Sequence, residues 1–179
     1  MPGLAAAAVV TLFAAGDWTL MAPSGATVGF DELRGGVTVV AFTSTRCPVS
    51  GMYQQRLNDL YREFSSKGVA FVVVNANSNE PPAEIQKYSK QASLPYPVYK
   101  DFHNRLADAY EIESTPEVVV LDRAGEVRYR GAIDDSSNPA RVKVHALRDA
   151  VTSLLAGKTP QIARLKAFGC VLKREKKTT

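Results

Sequence analysis

Cysteine and histidine are scarce in this chain: its 179 residues carry two of each. Two cysteines allow at most one internal disulfide, which excludes a small domain stapled by several bridges. His103 and His145 stand alone, with no Cys/His cluster at metal-ligand spacing, so no metal site is expected. Neither a glycine-rich phosphate loop nor a dinucleotide fingerprint occurs, and no organic cofactor is expected either. Leu4–Ala15 (LAAAAVVTLFAA) is a small-apolar run of twelve residues, short of the ~20 that span a bilayer. Basic charge is also thin. The formal charge is +4, but Lys173–Thr179 holds four basic residues and one acidic, so 18 basic against 17 acidic remain elsewhere. The excess reads as a solvated tail and not as a nucleic-acid surface.

What the chain does have is an ordinary globular composition, 45% hydrophobic and 22% charged, with a length suited to one sizeable core. Its focus is Val37–Ser50 (VTVVAFTSTRCPVS). The apolar, β-branched run Val37–Phe42 reads as a buried strand. From Tyr53 on, apolar residues at 53, 57, 60, 61 and 64 share one helical face. Cys47 therefore falls where a central strand hands over to a helix. Free N–H groups and the helix dipole favour a thiolate there. Such a site lowers a thiol from its reference value of ~8.5, and Arg46 is expected to push the same way.

Around that focus the order is legible. Trp18–Met21 and Ala26–Phe30 read as a hairpin, and Val69–Val74 as a second buried strand, which with the first argues a parallel βαβ unit. Asn75–Pro82 is a polar loop at that strand's C-terminal edge, where open α/β sheets place ligands. Helices are expected at Ala83–Ala92, His103–Tyr110 and Pro139–Leu155, and a hairpin over Glu117–Arg130. Aromatic residues sit at core spacing. Three segments follow: an apolar segment 1–15, a domain 16–157, and an appendage 158–179 that holds Cys170 and the basic tail. The first segment suits the core of a secretory signal or its clipped remnant, although no basic residue precedes it; a packed N-terminal helix is the alternative. Export would put the cysteines where a disulfide persists.

The strand order, Phe42-Thr-Ser-Thr-Arg-Cys47-Pro48 at the strand-to-helix turn, Ser114-Thr115-Pro116, and the hairpin Val118–Gly131 together resemble the thioredoxin superfamily. More closely, the chain is similar to the redoxin branch that groups alkyl-hydroperoxide-reductase/thiol-specific-antioxidant proteins with thioredoxin-like reductases. The resemblance implies an α/β thioredoxin-like fold, a mixed sheet flanked by helices, and a cis Pro116 facing Cys47. It implies a thiol-based oxidoreductase using Cys47 on a peroxide or a protein disulfide, with an external thiol as reductant. Thr45, Arg46, Pro48, Ser50, Thr115 and Pro116 would line the substrate site.

This chain departs from both parent patterns. Thioredoxins carry Cys-x-x-Cys, and the fourth position here is Ser50. Peroxiredoxins place a proline seven residues before the cysteine, where Val40 stands here. Ser44 matches their hydroxyl position, and Arg141 corresponds by spacing to their arginine. As a peroxidase, Ser44 and Arg141 would polarise the peroxide, and Cys47 would pass through a sulfenic acid. As a reductase, the edge beside Pro116 would hold a substrate strand by β-augmentation. Ser50 cannot resolve a mixed disulfide, so that chemistry needs another thiol. Cys170 either pairs with Cys47, structurally or as resolving thiol, or remains unpaired, and the sequence leaves both open. A different class of reading is a non-catalytic thioredoxin-like module that grips a partner with its Pro116 face and the Asn75–Pro82 loop. Oligomeric state is not readable.

Overall fold

The central strands are β-branched on both faces, and both faces are covered. The computed structural model describes residues 18–176, so the Leu4–Ala15 segment lies outside the described residues. In chain order the elements are β1 (Thr19–Met21), β2 (Thr27–Gly29), β3 (Thr38–Phe42), α1 (Pro48–Ser65), β4 (Ala70–Asn75), α2 (Pro82–Gln91), β5 (Val98–Lys100), α3 (Arg105–Ala109), β6 (Ser114–Thr115), β7 (Glu117–Leu121), β8 (Val127–Gly131), α4 (Ala146–Leu155), β9 (Arg164–Leu165) and β10 (Cys170–Val171). The main sheet runs β2-β1-β5-β4-β3-β7-β8-β9, and β10 pairs separately with β6.

β3 lies parallel to β4 (Val40 opposite Val72) and antiparallel to β7 (Val40 opposite Val119), so the sheet is mixed. Alternation along these strands feeds two cores. Val39, Ala41, Val73, Val118 and Val120 face Tyr53, Leu57, Leu60 and Phe64 of α1 and Leu147, Ala150 and Val151 of α4. Val40, Phe42, Val72, Val74 and Val119 face Leu20, Phe30, Leu106 and Ile112 on the other side. Helix α1 starts with Pro48 at its first position, whose missing N–H has no intrahelical partner to lose. The chain leaves it through Gly68 at φ +81°, a conformation glycine adopts without strain.

Three expected elements are shorter in the structure. The second hairpin strand ends at Gly29, and Phe30–Leu33 forms a 3-10 turn. The expected helix over His103–Tyr110 is only α3, because His103 and Asn104 adopt left-handed backbone (φ +61° and +57°). The Asp101 carboxylate accepts the Leu106 and Ala107 N–H groups and starts the helix there. The expected helix over Pro139–Leu155 is a 3-10 turn at Pro139–Arg141 followed by α4. Between them Asp135 Oδ1 accepts the Lys143 and Val144 N–H groups at 2.9 and 3.1 Å, taking those amides out of any helical ladder.

Beyond Gly157 the chain runs back across the domain. β9 pairs parallel with β8, and β10 pairs antiparallel with β6, Cys170 opposite Thr115. Leu172 is buried in the second core. The start of the basic tail is therefore not free: the Lys173 N–H donates to Asn77 Oδ1, and Arg174 bonds Asp108.

Candidate active site

The site is the turn between β3 and α1. Its first amide is fixed by the sheet, Thr43 N–H donating to the Val74 carbonyl at 2.9 Å. Ser44 then does two things. Its hydroxyl donates to Glu80 Oε1, and its oxygen accepts the Arg46 and Cys47 N–H groups, both at 3.1 Å. Thr45 donates its N–H and its hydroxyl to Glu80 Oε2 at 2.7 and 2.6 Å. Cys47 ends the turn as the residue capping α1, 5% exposed, with its Sγ 3.2 Å from the Thr115 carbonyl oxygen. The Thr115–Pro116 peptide is cis and buried against it.

Cys47 is bonded to Cys170. The Cα atoms are 5.9 Å apart, within the usual disulfide span, and the bridge joins positions 123 residues apart. Gly169, just before it, fits where a side chain does not: a Cβ there would lie 2.1 Å from the Thr115 carbonyl oxygen. Phe168 packs on Tyr53 of α1, ring centroids 5.9 Å apart. Ser50, one turn into α1, is buried with no hydrogen-bond partner among the described residues and lines a cavity of about 20 Å³ with Thr43, Tyr53 and Pro116. That is room for a single water.

Glu80 went unnoticed in the sequence and is central in space. Its side chain, 1% exposed, receives Ser44, Thr45 and the Asn75 amide (2.7 Å). Lys100 Nζ ties the same loop from below, donating to the Asn77 and Glu80 carbonyls at 2.5 and 3.0 Å. Burial pushes the Lys100 ammonium down from its ordinary value, against the pull of Glu80 and Asp101. The available signal was a lone acidic residue in a polar loop at the C-terminal edge of β4. The loop expected to receive a ligand is instead packed with its own polar groups and with Lys173, whose carbonyl accepts the Ser78 N–H at 2.8 Å.

The expected electrostatic help from Arg46 is offset. Its guanidinium forks onto Glu84, Nε to Oε1 at 2.7 Å and Nη2 to Oε2 at 2.5 Å. This hydrogen bond holds the Glu84 carboxyl below the usual carboxylate range and Arg46 above its own value. A paired arginine contributes little net field at the sulfur, which leaves the α1 N-terminus as the main feature favouring a thiolate. Pro48 is exposed beside Cys47. Arg141 sits on the exposed 3-10 turn, its N–H donating to the Asn138 carbonyl at 3.0 Å and its side chain making no hydrogen bond or ion pair among the described residues, and takes no part in the contacts around Cys47. The structure thus gathers Ser44, Thr45, Cys47, Ser50, Thr115, Pro116 and Cys170, and leaves Arg141 out.

The pattern of the AhpC/TSA family matches residues 13–130 of this sequence, a stretch that carries the strand-Cys47-helix turn, Glu80 and Pro116. The chain belongs to the AhpC/TSA family. Cys170 lies beyond the matched stretch. Among solved structures the likeness extends over more of the chain: the crystal structure of an uncharacterized conserved protein from Geobacillus kaustophilus superposes with a TM-score of 0.83 at 28% identity, covering 92% of each chain. A hypothetical protein from Sinorhizobium meliloti gives 0.80 at 27%, over 90% of this chain and 92% of the other. Among curated proteins, the thiol-disulfide oxidoreductase ResA of Halalkalibacterium halodurans is 29% identical over 103 residues, 58% of this chain and 57% of the relative. The chain thus spans little more than half the length of that relative. The thioredoxin-like fold expected from the sequence is the one observed, with a mixed sheet between helices.

Proposed function

We propose that this AhpC/TSA protein is a thiol-based oxidoreductase in which Cys47 is the nucleophile and Cys170 the resolving thiol, with the Cys47–Cys170 disulfide as the oxidised end state. The observation that carries the reading is that bond itself, formed at a helix N-terminus beside the cis Thr115–Pro116 peptide. In the reduced enzyme the Cys47 thiolate attacks a disulfide RSSR, forming a Cys47–SR bond and releasing RS⁻. The Cys170 thiolate then attacks Cys47 Sγ, forming the observed bridge and releasing the second RS⁻. With a peroxide ROOH the first step gives Cys47 sulfenic acid and ROH, and the second gives the bridge and water.

Regeneration takes two equivalents of an external thiol. Cys170 is half-buried beside the exposed Val171, whereas Cys47 is nearly inaccessible, so the reductant attacks Cys170 Sγ and the electron pair leaves on Cys47. The helix N-terminus favours that leaving thiolate. Ser44 serves in this scheme by fixing the turn, its hydroxyl being committed to Glu80 and the Cys47 amide. The curated ResA relatives, named thiol-disulfide oxidoreductases, support disulfide chemistry over peroxide. A stable bridge of this kind suits an oxidising, extracytoplasmic compartment. No helix among the described residues is long and apolar enough to cross a membrane.

The test is mass spectrometry after thiol alkylation of the reduced protein exposed to stoichiometric hydrogen peroxide or bis(2-hydroxyethyl) disulfide. The expected product is the Cys47–Cys170 bridge. Cys170→Ser should stall at an adduct or sulfenic acid on Cys47, and Cys47→Ser should lose selective reaction. Slow, unselective oxidation of Cys47 by both reagents would overturn the proposal.

A further inference from the structure

An extended polypeptide bound beside the cis proline would pair with the backbone of Ser114 and Thr115, the edge that β-augmentation offers. In this protein that edge is taken by the chain's own β10, antiparallel, Cys170 opposite Thr115 and Val171 opposite Ser114. The fit is close, since Gly169 leaves no space for a Cβ against the Thr115 carbonyl.

The disulfide is one of several contacts that hold this segment down. Upstream, Leu165 belongs to β9, and its carbonyl accepts the Ala132 N–H at 3.0 Å. Phe168 then packs on Tyr53. Downstream, Leu172 is 3% exposed and donates its N–H to the Glu113 carbonyl at 2.9 Å. Lys173 is bonded through both backbone groups, to Asn77 Oδ1 and to the Ser78 N–H. Glu175 N–H donates to Asn104 Oδ1 at 2.9 Å. None of these contacts involves either sulfur.

We infer that residues 169–171 remain docked on the Ser114–Thr115 edge in the reduced protein, so that Cys47 serves low-molecular-weight oxidants and excludes extended polypeptides. This rests on the oxidoreductase reading above and names its substrate class. A strand tethered at both ends competes at an effective concentration in the millimolar range, so a peptide at ~0.1 mM should be held off by roughly tenfold. A small disulfide or a peroxide needs no backbone edge, only the approach to Cys47 Sγ that the bonded Cys170 Sγ covers in the oxidised state and that reduction of the bond frees.

Two variants separate the possibilities. Cys170→Ser keeps the strand and removes the resolving thiol. Adding Gly169→Val forces the strand off, because its side chain meets the Thr115 carbonyl. Each reduced variant is challenged with bis(2-hydroxyethyl) disulfide and with a cysteine-containing decapeptide carried as its 2-hydroxyethyl mixed disulfide, and the adduct on Cys47 is followed by mass spectrometry. The small disulfide should label both variants at similar rates. The peptide should label Cys170→Ser roughly tenfold more slowly than the double variant. Equal peptide rates in the two variants would overturn the inference while leaving the oxidoreductase reading intact. A Cys47 inert to both reagents would remove that reading, and this inference with it. Hydrogen exchange on the wild-type protein gives a check that needs no variant: the Leu172 and Ser78 amides should stay protected after reduction. Their loss of protection would equally overturn the inference.

Discussion

Glu80 shows how one side chain can set the geometry of a reactive turn without touching its sulfur. No ion pair holds its carboxylate among the described residues; neutral donors from Ser44, Thr45 and Asn75 fill both oxygens. An acceptor of that kind cannot be replaced by an amide, whose NH₂ would face donors. Glu80→Gln should therefore leave at least one buried donor unsatisfied and destabilise the fold by about 1–3 kcal/mol. Urea denaturation checks this through a lower midpoint at unchanged slope. An unchanged midpoint would mean that the turn is held by the backbone alone. At this scale Cys47 was legible from its neighbours in sequence, and Pro116 through the family resemblance that Ser114-Thr115-Pro116 carries. Glu80 was not, because Ser44 and Thr45 lie 36 and 35 positions away and polar loops carry no periodicity that marks a buried carboxylate.

Among the elements, α1 and the strands β3, β4 and β7 followed from hydrophobic pattern, since each buries a face that its own sequence displays. The start of α4 did not, because Asp135 removes two amides from the helix through a contact outside the helical pattern. β10 is two residues long and has no pattern at all; it exists because an unpaired edge at β6 accepts it. Its anchor is Leu172. Leu172→Ala should cost about 2–5 kcal/mol, as for a buried leucine elsewhere in a core, whereas a side chain on a loose appendage would move stability by less than ~0.5 kcal/mol. Chemical denaturation of the oxidised protein distinguishes the two values.

For the molecule as a whole, the bridge ties a helix cap in the first third of the chain to a strand near its end. Closing a loop of 123 residues restrains the unfolded chain, and the chain-entropy account gives about 4–5 kcal/mol for such a loop. Reduction should lower the thermal midpoint accordingly, measured with and without a phosphine reductant, and Cys170→Ser should reproduce the shift under both conditions. A reduced protein that melts with its oxidised form would indicate that the unfolded state is already restrained, or that strain offsets the gain. The edge beside Pro116, which a binding-module reading would need free, is filled by residues 170–171.

By itself the sequence determined the buried βαβ unit and the place of Cys47 at a helix start, and its motifs carried the family resemblance that implied a thioredoxin-like layering. These rest on short-range pattern: alternation in strands, helical spacing after Tyr53, and residue types adjacent along the chain. Only the tertiary structure decided that Cys170 meets Cys47, that Glu80 fastens the turn, that Glu84 neutralises Arg46 and that Arg141 stays outside. Each of these depends on which distant segments share one sheet edge or one buried pocket, and pairing over such separations is selected by the packing of the whole domain, of which no local stretch carries a record.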